Sequence, residues 1–252
     1  MTIADKLTLL ASSKEALRVK LGLPESLPLS EYVNYLPEWS PKYLFRGGKQ
    51  GVWYDPSDKS TLFQDVAGTI PVTKDGDPIG LMKDKSGNGY HATQSISAAR
   101  PLYKTDGVLS WFDTDGMDDW FETNYTPSAD WSSGIGIAVH KLGGFVFESY
   151  EGAANNYLGS SAQSIAIFSP PSGTNLNTKY FEFGVPFTYL SQVSGDNIGT
   201  VPLAIGARNT GAGLRNPVKV SLFGLIITNF IMSEEQVGSV DKYLATKSGV
   251  TL

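Results

Sequence analysis

Gly134-Ile-Gly-Ile-Ala-Val139, Gly143-Gly-Phe-Val-Phe147, Ser164-Ile-Ala-Ile-Phe168 and Lys179-Tyr-Phe-Glu-Phe183 decide the fold class of this chain. Each is short and rich in β-branched or aromatic side chains, and Gly, Asn, Asp, Ser or Pro punctuates most of the gaps. Working outward, Gly51-Val-Trp-Tyr-Asp55 and Val108-Leu-Ser-Trp-Phe112 precede them, and Val218-Lys-Val-Ser-Leu222 follows. Many short strands with no helices interleaved predict an antiparallel sandwich rather than an α/β sheet. Trp53, Phe63, Phe112, Ile137, Phe147, Ile167, Phe183, Ile205, Leu222 and Ile226 are expected in its core. One helix closes the chain. Ser233 caps it, Glu234 and Glu235 complement the helix dipole in its first turn, and Val237, Val240, Tyr243 and Leu244 form its buried stripe. Lys247 and Gly249 end it.

The first 40 residues read differently. Ile3, Leu10 and Leu17 recur every seven residues, as do Leu7, Lys14 and Leu21, which together make one apolar stripe interrupted by Lys14. Ser12 and Glu15 have the spacing of a capping box, and Gly22 with Pro24 is a stop signal. A second short helix is expected from Ser30 through Tyr32, Tyr35 and Leu36. Two roles fit: a cap packed on the main domain, or an attachment and oligomerisation segment. The domain division is therefore 1–40 and 41–252, with Ile3, Leu7, Leu10, Leu17 and Leu21 as the attachment face.

Composition narrows the function classes. The chain has 252 residues, and a single domain of that size buries about three quarters of its unfolded surface. Its net charge is −5 with no basic cluster, so nucleic acid is not expected as a partner. With no cysteine there is no disulfide, thiolate metal site or Cys nucleophile. The longest apolar run, around Leu222 to Ile231, is about half a membrane span, so no membrane insertion is expected. No signal peptide is expected from the acidic start Met1-Thr-Ile-Ala-Asp5.

Three stretches resemble the concanavalin A-like, laminin-G-like jelly-roll family. They are Trp53-Tyr-Asp-Pro-Ser-Asp-Lys-Ser-Thr-Leu-Phe-Gln-Asp65; Asp84-Lys-Ser-Gly-Asn-Gly-Tyr-His-Ala-Thr-Gln94 with Arg100-Pro101; and Leu203-Ala-Ile-Gly-Ala207 with Phe223-Gly-Leu-Ile-Ile227 and the C-terminal helix. The resemblance implies a mainly β fold, an antiparallel jelly-roll β-sandwich with a small N-terminal helical segment and one C-terminal helix. Phe223 through Leu252 is also similar to the ends of tailed-bacteriophage structural proteins. Ser13-Lys-Glu-Ala-Leu-Arg18, Pro28-Leu-Ser-Glu-Tyr32 and Leu36-Pro37 resemble a short module of phage fibre and decoration proteins. That likeness implies a virion protein assembled in the host cytoplasm, with other virion proteins as partners through residues 1–40, and leaves a homotrimer open.

No constellation for catalysis stands out. Glycosidases of the wider fold carry Glu-x-Asp-x-x-Glu on one strand, which aims the carboxylates at the sugar from one face. That string is missing here; Glu148 and Glu151 fall on opposite faces, and Glu182 stands alone between aromatics. Asp113-Thr-Asp-Gly-Met-Asp-Asp119 lacks calcium-loop spacing and reads as a turn, and Asp84-Lys-Ser-Gly-Asn-Gly89 as a loop braced by Asp84 and Asn88. His91 and His140 have no second His at ligand spacing, and no nucleophile elbow supports a Ser-His-Asp triad. Sugar binding needs only an exposed aromatic and amides for the hydroxyls. Trp131, Tyr150, Asn155, Asn156 and Tyr157 are the candidates.

The expectation is a virion structural protein without catalytic residues, metal or cofactor, displaying a lectin-like domain toward host-surface polysaccharide. The alternative is a glycan-degrading enzyme on the same fold.

Overall fold

The computed structural model describes residues 13–20, 22–28, 39–128, 130–140, 145–148, 157–161, 164–168, 173–175, 182–193, 202–209 and 214–252. The chain divides into two compact units, Met1–Ser40 and Pro41–Leu252. In the first, residues 13–20 form helix α1. The Arg18 guanidinium pairs with Glu15 at 2.6 Å and also donates to the Leu23 carbonyl at 2.9 Å, which satisfies backbone just beyond the helix end. Leu17 is half-buried. Ile3, Leu7, Leu10, Leu21 and the expected helix from Ser30 lie outside the described residues.

The second unit is an antiparallel two-sheet sandwich, as the strand pattern predicts. The first seven strands are β1 (Gly51–Tyr54), β2 (Leu62–Phe63), β3 (Leu81–Met82), β4 (Ala92–Thr93), β5 (Leu102–Thr105), β6 (Ser110–Asp113) and β7 (Phe121–Glu122). Then come β8 (Trp131–Val139), β9 (Phe145–Glu148), β10 (Tyr157–Ser161), β11 (Ser164–Phe168), β12 (Gly173–Asn175) and β13 (Phe187–Val193). The last are β14 (Ala204–Ile205), the hairpin β15 (Arg208–Asn209) and β16 (Leu214–Arg215), and β17 (Val220–Thr228). One sheet runs β12-β13-β8-β17-β6-β5, with β1 also paired to β17. The other runs β11-β10-β9-β14-β7-β4-β3-β2.

The inner faces meet in one core. Ile135, Ile137, Tyr189, Leu225 and Ile227 from the first sheet pack with Leu62, Met82, Phe121 and Ile205 from the second. The rings of Phe112 and Phe121 bridge the sheets edge to face at 5.2 Å. A bulge between Leu222 and Gly224 lets both Leu222 and Leu225 face inward while Phe223 turns outward beside Trp111.

Helix α2 (Glu234–Ser248) covers the outer face of the first sheet. Ser233 accepts from the Gln236 N–H while Gln236 accepts from the Ser233 N–H, a complete capping box, and Gly249 ends the helix in the left-handed region. The helix sits low because the sheet beneath it is glycine. A Cβ on Gly134 would lie 2.6 Å from Val240 and 2.9 Å from Leu244, and one on Gly224 would lie 3.0 Å from Leu244. At one end, Lys247 and Tyr243 reach Asp55 at 3.3 and 2.8 Å, and Lys85 joins them at 2.9 Å. Burial favours the neutral acid, but the Ser57 hydroxyl and the two ammonium groups overcome it and hold Asp55 at about 2.

Of the expected core, Trp53, Phe112, Ile137, Ile205, Leu222 and Ile226 are buried. Phe63 is half-buried, and the side chains of Phe147 and Ile167 lie outside the described residues. Phe183 corrects the sequence reading. It is 46% exposed, in a turn that precedes β13, rather than in a strand. Apolar alternation marks a chain able to form a strand, but pairing decides whether it does.

Candidate functional site

With α2 on one sheet, the outer face of the other is where a cleft opens. Gly89, His91, Thr93, Glu122, Thr123 and Asn124 line a cavity of about 340 Å³ there. Pairing aligns Thr93 with Glu122, Glu122 with Ala204, and Ala204 with Glu148. Four register positions therefore cross β4, β7, β14 and β9 in one row. Glu122 is exposed, and the small Ala204 separates it from the position of Glu148. At about 4.8 Å per strand, the two glutamate backbones stand roughly 9–10 Å apart.

The loop before β4 holds the cleft in shape. Asp84 accepts from the N–H groups of Trp53, Ser86 and Tyr90 at 3.0, 2.9 and 3.2 Å, and from the Ser86 hydroxyl at 2.6 Å. Asn88 donates to the carbonyls of Gly51 and Lys49. These oxygens are engaged with the protein, as an internal brace requires. The Asp84 N–H in turn donates to His91 Nδ1 at 3.1 Å. Beneath, the Tyr54 hydroxyl donates to the Tyr90 carbonyl and the Tyr125 hydroxyl to Asn229. Burial pushes both phenols well above the usual range.

The Asp113–Asp119 segment is a turn. Asp115 accepts from the N–H groups of Met117, Asp118 and Asp119 at 2.7, 3.2 and 3.3 Å. Carboxylate oxygens of Asp115, Asp118 and Asp119 lie within 4.8 Å of one another. Burial first, and then the charge of Asp115, push the Asp119 carboxyl up to about 7. The unfolded carboxyl ionises near its ordinary value of 3.8, so Asp119 weakens folding progressively as pH rises from about 4 to about 7. Asp119→Asn keeps an acceptor for the Asp115 N–H and removes this loss. Its melting temperature should match the parent at pH 4 and exceed it by several degrees at pH 8, as scanning calorimetry would show. An equal shift at both pH values would refute the assignment.

The second histidine enters a Ser-His-Asp grouping of the wrong order. Ser221 Oγ lies 2.8 Å from His140 Nε2 and donates to Asp113 at 2.5 Å. The serine proton goes to the aspartate, so His140 has none to abstract and the serine is not activated.

The candidate sugar residues fare differently. Trp131 is 1% exposed inside the core, because it opens β8 with its ring among the inner-face side chains, and it is removed from the site. Tyr150, Asn155 and Asn156 lie outside the described residues, as does the side chain of Tyr157. His91, Thr93, Glu122 and Asn124 lie on strand ends or loops far apart in sequence, and only strand register brings them together.

The chain is similar in fold to an arabinofuranosidase. That enzyme, solved with arabinofuranosyl-α-1,2-xylobiose, has a TM-score of 0.54 and 12% identity, over 83% of this chain and 65% of its own. Trypanosoma rangeli sialidase, in a covalent intermediate with 2,3-difluorosialic acid, matches over 98% of this chain and 39% of its own at 10% identity, TM-score 0.41. A mutant of that sialidase with trans-sialidase activity matches over 69% of this chain and 32% of its own at 11% identity, TM-score 0.40. The chain thus spans just under two thirds of the arabinofuranosidase and well under half of the sialidases. No protein-family profile matches the chain, and no curated protein matches it in sequence.

The arabinofuranosidase corrects the expectation of a non-catalytic chain to this extent: the fold that this chain shares is one that an enzyme carries. The expectation rested on a missing single-strand carboxylate motif. A sheet also assembles paired carboxylates across strands, where no local string records them.

Proposed function

We propose that this chain is a glycan-processing protein that cleaves glycosidic bonds on the outer face of its second sheet, with Glu122 and Glu148 as the carboxylate pair. The observation that carries this reading is the register row, in which Glu122 lines the cleft and Glu148 takes the position two strands away, with Ala204 between them. Most glycosidases act through two carboxyl groups that flank the scissile bond. Backbones two strand spacings apart let a sugar lying across β14 meet both strands. Thr93 and Asn124 would take sugar hydroxyls. Release of reducing ends from arabinoxylan, sialylated glycans and bacterial surface polysaccharides tests the proposal. Turnover lost in both Glu122→Gln and Glu148→Gln supports it, and turnover on none of the three sinks it.

The phage-like stretches at 13–37 and 223–252 extend the proposal to a virion protein that acts on host-surface polysaccharide and joins other virion proteins through residues 1–40. The apolar stripe read from the sequence at Ile3, Leu7, Leu10, Leu17 and Leu21 requires a partner, because a short helix is marginal alone in water. A chain of residues 42–252 should therefore fold as a monomer and fail to join particles or oligomers, as sedimentation and particle pull-down would register. Incorporation at the full-length level would reduce residues 1–40 to a structural cap.

A further inference from the structure

We infer that His91 is the fixed hydrogen-bond donor of the cleft, presenting Nε2–H to an acceptor oxygen of the bound sugar; this rests on the reading of the cleft as a glycan site. The argument starts at the other ring nitrogen. His91 Nδ1 accepts the Asp84 backbone N–H at 3.1 Å, so in the neutral ring Nε2 carries the proton. The Asp84 backbone is itself held, because its carboxylate is gripped by three N–H groups and the Ser86 hydroxyl. Ring orientation and tautomer are thus set before any ligand arrives, the preorganisation that makes a polar group selective. The half-buried ring lines the cleft together with Glu122 and Asn124. Among the described hydrogen bonds the imidazole makes the one at Nδ1, and Nε2 makes none. A sugar hydroxyl, ring oxygen or carboxylate fits that donor. A ligand offering only C–H at the position leaves it dry and unsatisfied, a penalty that discriminates among sugars.

Two substitutions separate the nitrogens. Asn places its amide oxygen near the position of Nδ1 and keeps the Asp84 bond without the Nε2 donor. Gln reaches the position of Nε2 with an N–H and gives up the Nδ1 acceptor. On an array of pentose, hexose, uronic acid and sialic acid oligosaccharides, His91→Asn should retain the parental melting temperature and bind about three- to tenfold more weakly. His91→Gln should melt a few degrees lower yet bind more tightly than His91→Asn. Parental binding by His91→Asn, or equal losses in the two variants, overturns the assignment. If the parent protein binds no glycan, the reading of the cleft fails first and this inference goes with it; if the parent binds and His91→Asn matches it, this inference fails alone.

Discussion

Glu122→Gln should lower glycosidic cleavage by about 10²–10⁴-fold while leaving the melting temperature nearly unchanged. The rate loss follows from the role. A carboxyl group that delivers or withdraws a proton at the scissile bond has no substitute in an amide of the same shape. The stability result follows from the structure. Glu122 is exposed, and no hydrogen bond or ion pair holds it among the described residues, so neutralising it strands no partner. Glu148→Gln should give a loss of similar order. Parental turnover in Glu122→Gln would move the chemistry away from this row.

Gly51→Ala should destabilise the second unit by about 3–5 kcal/mol, roughly 10–15 °C in melting temperature for a domain of this size. A Cβ at Gly51 would stand 2.2 Å from the Ile227 carbonyl oxygen and 2.7 Å from the Phe45 ring, with φ at +150°. The oxygen belongs to β17, a nine-residue strand of the first sheet, at the register where Gly51 faces Thr228, so relief means shifting β1 off β17. That shift would drag Trp53 and Tyr54 from their places and disturb Asp84, which holds the Trp53 N–H. Gly107 is the control. Its φ is +93° but a Cβ there meets nothing within 4 Å, so Gly107→Ala carries the backbone strain alone, about 1 kcal/mol. Equal denaturant midpoints for the two variants would show that the close approach at Gly51 is not what matters.

The sequence by itself determined that the chain is built of short antiparallel strands, where α2 begins and ends, and that Asp84–Asn88 and Asp113–Asp119 are braced turns. These properties are local. Alternation, a Ser-x-x-Gln cap, a terminal glycine and the bonds of Asp84 to Ser86 and of Asp115 to Met117 act within a few residues, while Asp84 and Asn88 also reach across to β1 and the residues before it. Tertiary structure alone decided which strands pair and in what register. Thr123 meets Leu203 across 80 residues of chain, and the row from Thr93 to Glu148 exists only once such contacts form. It also decided that Phe183 stays in water, that Trp131 is core rather than a sugar platform, and that Phe223 is bulged outward. The glycines at 134, 136 and 224 bring α2 down onto one sheet and so leave the other to carry the cleft. Strand register is the common cause. A shift of one residue turns every side chain to the opposite face, and what sets it is the fit between distant segments rather than any property of one segment.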